Sequence, residues 1–233
     1  MDIKSFLANL LDFIFPPICS GCKNKLVQGE LFICTICLHS FPKTDYPDLR
    51  DNPITHRFIP AIPITYGLAL YKLKKQSLLE QVLFAMKYKN QPKIGRFLAM
   101  QCGNIWHNDG WVETIDAIIP IPLHKKRLQQ RGYNQSDFFA QGLSAALHIP
   151  IDLTCVKRIR NTPSQTKEKK ETRITNLKDA FTIPQPNLIL DKHLLLVDDI
   201  LTTGATLASC AKVLLEQGAK QVSVAAIAVV EDV

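Results

Sequence analysis

The stretch Leu194 to Thr206, LLLVDDILTTGAT, constrains this chain more than any other. Four apolar residues, Leu194 to Val197, have the length and character of a buried parallel strand. Two carboxylates, Asp198 and Asp199, stand where that strand ends. Thr202, Thr203, Gly204, Ala205 and Thr206 then make a small, hydroxyl-rich turn, and Leu207 to Gln217 reads as a helix closed by Gly218. In an open α/β sheet, ligands sit beyond the carboxyl ends of the strands. The first N–H groups of the following helix are unpaired and lie at the positive end of its dipole, which favours a phosphate. Thr hydroxyls add donors, Gly204 lets the backbone come close, and the Asp side chains can accept hydrogen bonds from vicinal sugar hydroxyls. A sugar phosphate suits both halves at once. The competing reading is an ordinary βα turn with a capping Asp.

These residues resemble the phosphoribosyl pyrophosphate (PRPP) motif of type I phosphoribosyltransferases: a hydrophobic strand, two acids, then a T-T-G-x-T loop. The resemblance implies PRPP binding by Asp198, Asp199, Thr202, Thr203, Gly204, Ala205 and Thr206. It also implies an α/β fold with a mostly parallel sheet flanked by helices.

The second strong signal is Cys19-x-x-Cys22 with Cys34-x-x-Cys37. Each pair lets two thiolates reach one ion from a tight knuckle, and two knuckles complete a tetrahedral site of the kind zinc prefers. A redox role needs a single CxxC at a helix start in a thioredoxin-like setting, which is absent here. Structural zinc is therefore expected, with His39 a bystander. So short a segment has no core of its own, and metal binding would supply much of its folding energy. Seven cysteines in all fit a reducing, cytoplasmic setting better than a disulfide framework; Cys102, Cys155 and Cys210 read as buried small hydrophobes.

A chain of 233 residues holds one good core and a small appendage. With 46% hydrophobic and 21% charged residues it is globular in composition. No apolar run approaches the roughly 20 residues that span a bilayer. At the N-terminus, Phe6, Leu7, Leu10, Leu11 and Ile14 recur at helical spacing, while Asp2 and Asp12 argue against a signal peptide. A net charge of +7 suits anionic partners such as nucleotides, PRPP or nucleic acid.

The division expected is an N-terminal helix and zinc ribbon over 1–41, a linker over 42–61 and the larger domain over 62–233. Pro42, Pro47, Pro53 and Pro60 break regular structure in the linker. ITYGLALYKL reads as a strand or hairpin, Leu78 to Met86 as a helix, Lys87 to Asn90 as a loop and Ile94 to Trp106 as a helix. A short strand over Ile115 to Ile121 follows. In LHKKRLQQRGYNQ, Arg127 and Arg131 share a helical face, Gly132 ends that segment, and Asn134 or Ser136 caps a helix reaching about Leu147. Arg131, Asn134 and Gln135 either point into the cleft or form a solvated basic face. Residues 155–181 are basic and hydrophilic, a surface loop or an arm over an anion, in which Arg158, Arg160 and Arg173 offer planar forks for phosphates. Gln221 to Val230 is a last strand completing a βαβ crossover.

Together the CxxC pairs, MKYKNQ, PIPLHKKRLQQRGYNQ, RIRNTPSQT with Arg173 and Asn176, and LLLVDDILTTGAT are similar to the ComF (ComFC/GntX) family. That family joins a Cys₄ ribbon to a phosphoribosyltransferase-like domain. The resemblance implies a cytoplasmic protein of naturally competent bacteria, acting on incoming single-stranded DNA. It places Lys87 and Lys89 where related transferases hold pyrophosphate, puts Arg127, Arg131, Asn134, Gln135, Arg160 and Arg173 around the cleft, and implies Mg²⁺ accompanying PRPP. Purine-salvage members of the wider fold carry an Asp where this chain has Thr202, which cannot take a proton at neutral pH. No residue is named as a general acid or base. Three classes stay open: a PRPP-binding competence protein, an active transferase of phosphoribose to a nitrogenous base, and a zinc-ribbon scaffold for a helicase or an inner-membrane DNA channel protein.

Overall fold

The structure, a computed structural model, describes residues 16–107, 110–159 and 180–230. The N-terminal amphipathic stretch, Arg160, Arg173 and the 161–172 arm lie outside these residues.

The first of the described residues form the cysteine-rich segment, in which helix α1 (Thr35–Ser40) starts from its N-cap Cys34. Residues 42–61 are not free chain. Asn52 accepts the Ile54 and Thr55 N–H groups and donates to the carbonyls of Asp48 and Gly67, while Ile54 and Phe58 are fully buried. The prolines do prevent a long element, but one buried amide satisfies the backbone and lets the apolar residues join the core. Strand β1 (Gly67–Leu73) leads to α2 (Leu78–Tyr88), capped by the Ser77 side chain, and α3 (Lys93–Trp106). Helix α2 runs further than Leu78 to Met86, so Lys87 and Tyr88 sit in its last turn instead of in a loop.

Next come β2 (Ala117–Pro120), α4 (Lys125–Arg131) and α5 (Gln135–Leu147). Gly132, with φ of 81°, closes α4 in the left-handed region. Strands β3 (Lys157–Arg158) and β4 (Phe181–Thr182) pair antiparallel. The chain ends with β5 (His193–Leu201), α6 (Ala205–Glu216) and β6 (Gln221–Val230).

The main sheet has the order β1-β6-β5-β2, and every adjacent pair is parallel. Side chains alternate across β5. Leu195 and Val197 join the cluster built with α2, α3 and α5, whereas Leu194, Leu196 and Leu201 join the one built with α6 and Phe58. Helices cover both faces, as a parallel sheet requires. Helices α3 and α5 meet at small residues: a Cβ on Gly142 would lie 2.5 Å from that of Ala99. The ribbon is docked on this body. Phe32 packs edge-on to Phe97, Phe41 does the same to Tyr71, and Ser20 Oγ donates to Gln91 Oε1 at 3.0 Å.

One strand differs from its sequence reading in a way that shapes the site. The β5–β6 ladder continues through Asp198↔Ala226 to Leu201↔Val229, while β2 stops at Pro120↔Val197. The acids therefore lie inside the strand, not after it, because the long, buried β6 goes on pairing with them. Among the described residues, β5 beyond Val197 has a strand neighbour on one side only. Among the described residues no helix is long and apolar enough to cross a membrane.

Candidate functional site

The two carboxylates face different partners. Asp198, half-buried, has an Oδ1 that accepts from Ser136 Oγ at 2.9 Å and from the Asp199 N–H at 2.9 Å. Asp199, only 7% exposed, holds Lys87 Nζ at 3.0 Å. Burial, reinforced by the charge of Asp199, pushes Asp198 up to about 6, against the pull of Lys87 and the two donated hydrogen bonds. Asp198 thus carries its charge at neutral pH and loses it in mildly acidic solution.

The loop after β5 is fixed from outside. Arg57, within the proline-rich segment, donates to the carbonyls of Thr202 and Val230. Gly204 has φ of 78° and lies over the Phe58 ring, where a Cβ would come within 3.2 Å of Cζ. It is the N-cap of α6, and among the described residues no side chain caps that end; the Ala205 N–H makes a long 3.4 Å bond to Thr203 Oγ1. The first turn of α6 therefore presents backbone donors beside the acids, an arrangement suited to a phosphate. Replacing Gly204 by Ala adds left-handed strain and crowds Phe58. It should destabilise the chain by about 1–3 kcal/mol, read as a lower melting temperature; an unchanged melt would contradict this fit.

Lys87 reaches the site from the end of α2, whereas Lys89 is exposed at the cap of that helix. Arg131 does not project freely. Its Nη1 donates to Gln135 Oε1 at 2.6 Å, and its guanidinium lies 5.2 Å from the centre of the Tyr88 ring. Asn134 occupies the N-cap position of α5 without capping it; Nδ2 donates to the Ile121 carbonyl and to Asp137 Oδ1. Ser136, read as an alternative cap, instead holds Asp198. Arg158, on β3, lies over the Phe181 ring. Burial and then the charge of Arg127 lower its pKa while Asp198 opposes this, so the Arg158 guanidinium lies within electrostatic reach of the carboxylate. Sequence reading missed Arg57 and Phe58; Tyr133, which it offers as a stacking candidate, instead donates its hydroxyl to the Met86 carbonyl at 2.6 Å. The RGYNQ context marked Tyr133; nothing in the spacing marked the other two.

At the other end of the molecule, the ligand atoms of Cys19, Cys22, Cys34 and Cys37 all lie within 4.8 Å of one another. The Cys34 N–H points at Cys19 Sγ and the Cys37 N–H at Cys34 Sγ. Burial raises the Cys19 thiol, but N–H groups of Cys34, Cys22 and Gly21 outweigh it and bring the group to about 7. Four convergent sulfurs, one already close to a thiolate, can hold a metal ion. His39 is engaged elsewhere, its Nδ1 at 2.9 Å from the Thr35 carbonyl.

A parallel sheet with acids near a strand end and an uncapped helix beyond them defines a class. Residues 135–232 match the phosphoribosyl transferase domain family, and the fold is that of a type I phosphoribosyltransferase. Over its length the chain is 32% identical to the DNA utilization protein YhgH of Shigella flexneri across 220 residues, covering 90% of this chain and 95% of that one. It is 30% identical to Competence protein F of Haemophilus influenzae, covering 89% and 82%. It is 26% identical to Competence protein ComFC of Bacillus subtilis, covering 86% and 79%. The chain belongs to the ComF family.

Proposed function

We propose that this chain binds PRPP, with Mg²⁺, at the end of β5 and assists the handling of single-stranded DNA in natural transformation. The observation that carries the ligand reading is the juxtaposition of Asp198 and Asp199 with the uncapped first turn of α6. The acids accept from the ribose hydroxyls, and the N–H groups and hydroxyls of Thr202 to Thr206 take the 5′-phosphate. Lys87 meets the pyrophosphate arm, with Lys89 at the rim; Mg²⁺ would offset the charge on that arm. Arg127, Arg131, Asn134 and Gln135 line the approach. The DNA role draws on relatives called competence and DNA utilization proteins. The four clustered cysteines are assigned to structural zinc, in a division of the chain into an N-terminal helix and zinc ribbon over 1–41, a linking segment over 42–61 and the larger domain over 62–233.

Deleting the gene should leave growth intact and abolish transformation; normal transformation would sink the DNA role. Direct binding of a single strand should weaken steeply with salt, because each neutralised phosphate releases counterions.

A second reading, turnover of PRPP, is favoured by cations beside the acids: Lys87 at Asp199 and Arg158 within reach of Asp198. Such charges stabilise a departing pyrophosphate. Pyrophosphate release on adding nitrogenous bases tests it, and background release across all of them leaves binding alone.

A further inference from the structure

We propose that Phe84, Tyr88 and Arg131 form a stacking platform for unpaired nucleobases at the rim of the carboxylate cleft, an inference that rests on the DNA-handling reading. Gln81, Phe84 and Tyr88 lie three and four residues apart on α2, along one solvent-facing side. Phe84 is 52% exposed and Tyr88 64%, with their ring centres 4.8 Å apart. Two large rings that touch yet remain more than half in water stand out on a helix whose Leu79, Val82, Leu83, Ala85 and Met86 are buried. Arg131 covers part of Tyr88, its guanidinium held in place by Gln135. The result is a set of π surfaces with one fixed planar cation among them.

The platform and the cleft share both supporting elements. Lys87, adjacent to Tyr88, holds Asp199, and Ser136, adjacent to Gln135, holds Asp198. A nucleotide chain lying across Tyr88 would therefore lie beside the sugar-phosphate site. Gln135 Nε2 and Asn134 Oδ1, both buried, find no hydrogen-bond partner among the described residues, leaving a donor and an acceptor in the same two-residue stretch.

Single-stranded nucleic acid is the occupant this chemistry fits. It offers unstacked base faces to the rings and phosphates to Arg131 and the exposed Lys89, whereas a duplex hides its base faces. Stacking on aromatic rings is tolerant of sequence, as general handling of a strand requires.

The test uses the full chain, a labelled oligothymidylate, a strand of equal length with abasic sites, and PRPP as a separate titrant. Tyr88→Ala should weaken oligothymidylate binding about tenfold and leave PRPP binding unchanged. Abasic strands should bind wild type weakly and be indifferent to the substitution. Tyr88→Trp should retain affinity, with its indole emission quenched by the strand. If wild type binds the strand and Tyr88→Ala binds it equally well, or loses abasic and normal strands alike, the platform is wrong while the DNA-handling reading survives. If Tyr88→Ala spares DNA binding and disrupts a protein contact, the inference also fails. Failure of wild type to bind any single strand would overturn the reading beneath it.

Discussion

Asp198→Asn and Asp199→Asn should each weaken PRPP binding about 10- to 100-fold, yet move stability in opposite directions. Each removes a charged acceptor from the proposed ribose contacts, so the two should be alike toward the ligand. Their surroundings differ. The pKa of Asp198 in the folded chain, about 6, lies above its ordinary value of 3.8. Folding therefore takes up a proton between these values. The contribution of Asp198 favours the fold below about pH 4, erodes as pH rises through 6, and above that its charge is a standing cost. Asparagine keeps an oxygen to accept from Ser136 and the Asp199 N–H without carrying that charge. Asp198→Asn should thus raise stability at pH 8 by about 1–3 kcal/mol and change it little at pH 4. Asp199→Asn instead strands Lys87, a largely buried cation, and should destabilise at pH 8 by a comparable amount. Melting curves at the two pH values, beside PRPP titrations, check both halves. Stability shifts of the same sign would refute the assignment of environments, and undiminished PRPP binding would refute the site.

Stripping the four-cysteine site of the ion proposed for it should have the largest effect on the fold. Ribbon residues Cys19, Ile33, Cys37 and Phe41 are buried in one cluster with Tyr71, Val82 and other residues of β1 and α2. Without an ion, four thiols at the centre of that segment hold together only through weak hydrogen bonds, and the segment has too little apolar surface to stay folded alone. Its loss would expose the side of α2 that carries Val82, one turn and a half before Lys87. Chelation, or Cys37→Ser, should lower the melting temperature by about 10 °C and weaken PRPP binding as α2 loosens. His39→Ala should do neither. Metal analysis of the purified chain should find about one ion per molecule, and a melt indifferent to chelation would contradict a structural ion.

Much of this site was legible because its signals are local. Strand, acids, turn and helix follow one another over Leu194–Glu216, and the CxxC pairs announce themselves by spacing. What was hidden depends on residues distant in the chain. The strand outruns its apolar run because β6 continues beside it, and periodicity in one segment says nothing of its neighbour's length. Lys87 read as loop because Lys87, Lys89 and Asn90 are polar; its pairing with Asp199, a residue distant in the chain, leaves no trace in the local pattern. Ser136 lies 62 residues from Asp198, and Arg57 lies 145 residues from Thr202, so neither contact leaves a pattern in spacing. The proline-rich segment was misjudged in character for a related reason: prolines exclude regular structure but do not exclude burial, as Ile54 and Phe58 show.

The most direct measurement is a crystal structure of the full chain grown with PRPP and Mg²⁺. The ribose hydroxyls should be found on Asp198 and Asp199 and the 5′-phosphate against the backbone of Thr203 to Thr206, with Lys87 released from Asp199 toward the pyrophosphate. A cleft still closed by the Lys87–Asp199 pair and empty of the compound at saturating concentration would contradict the account.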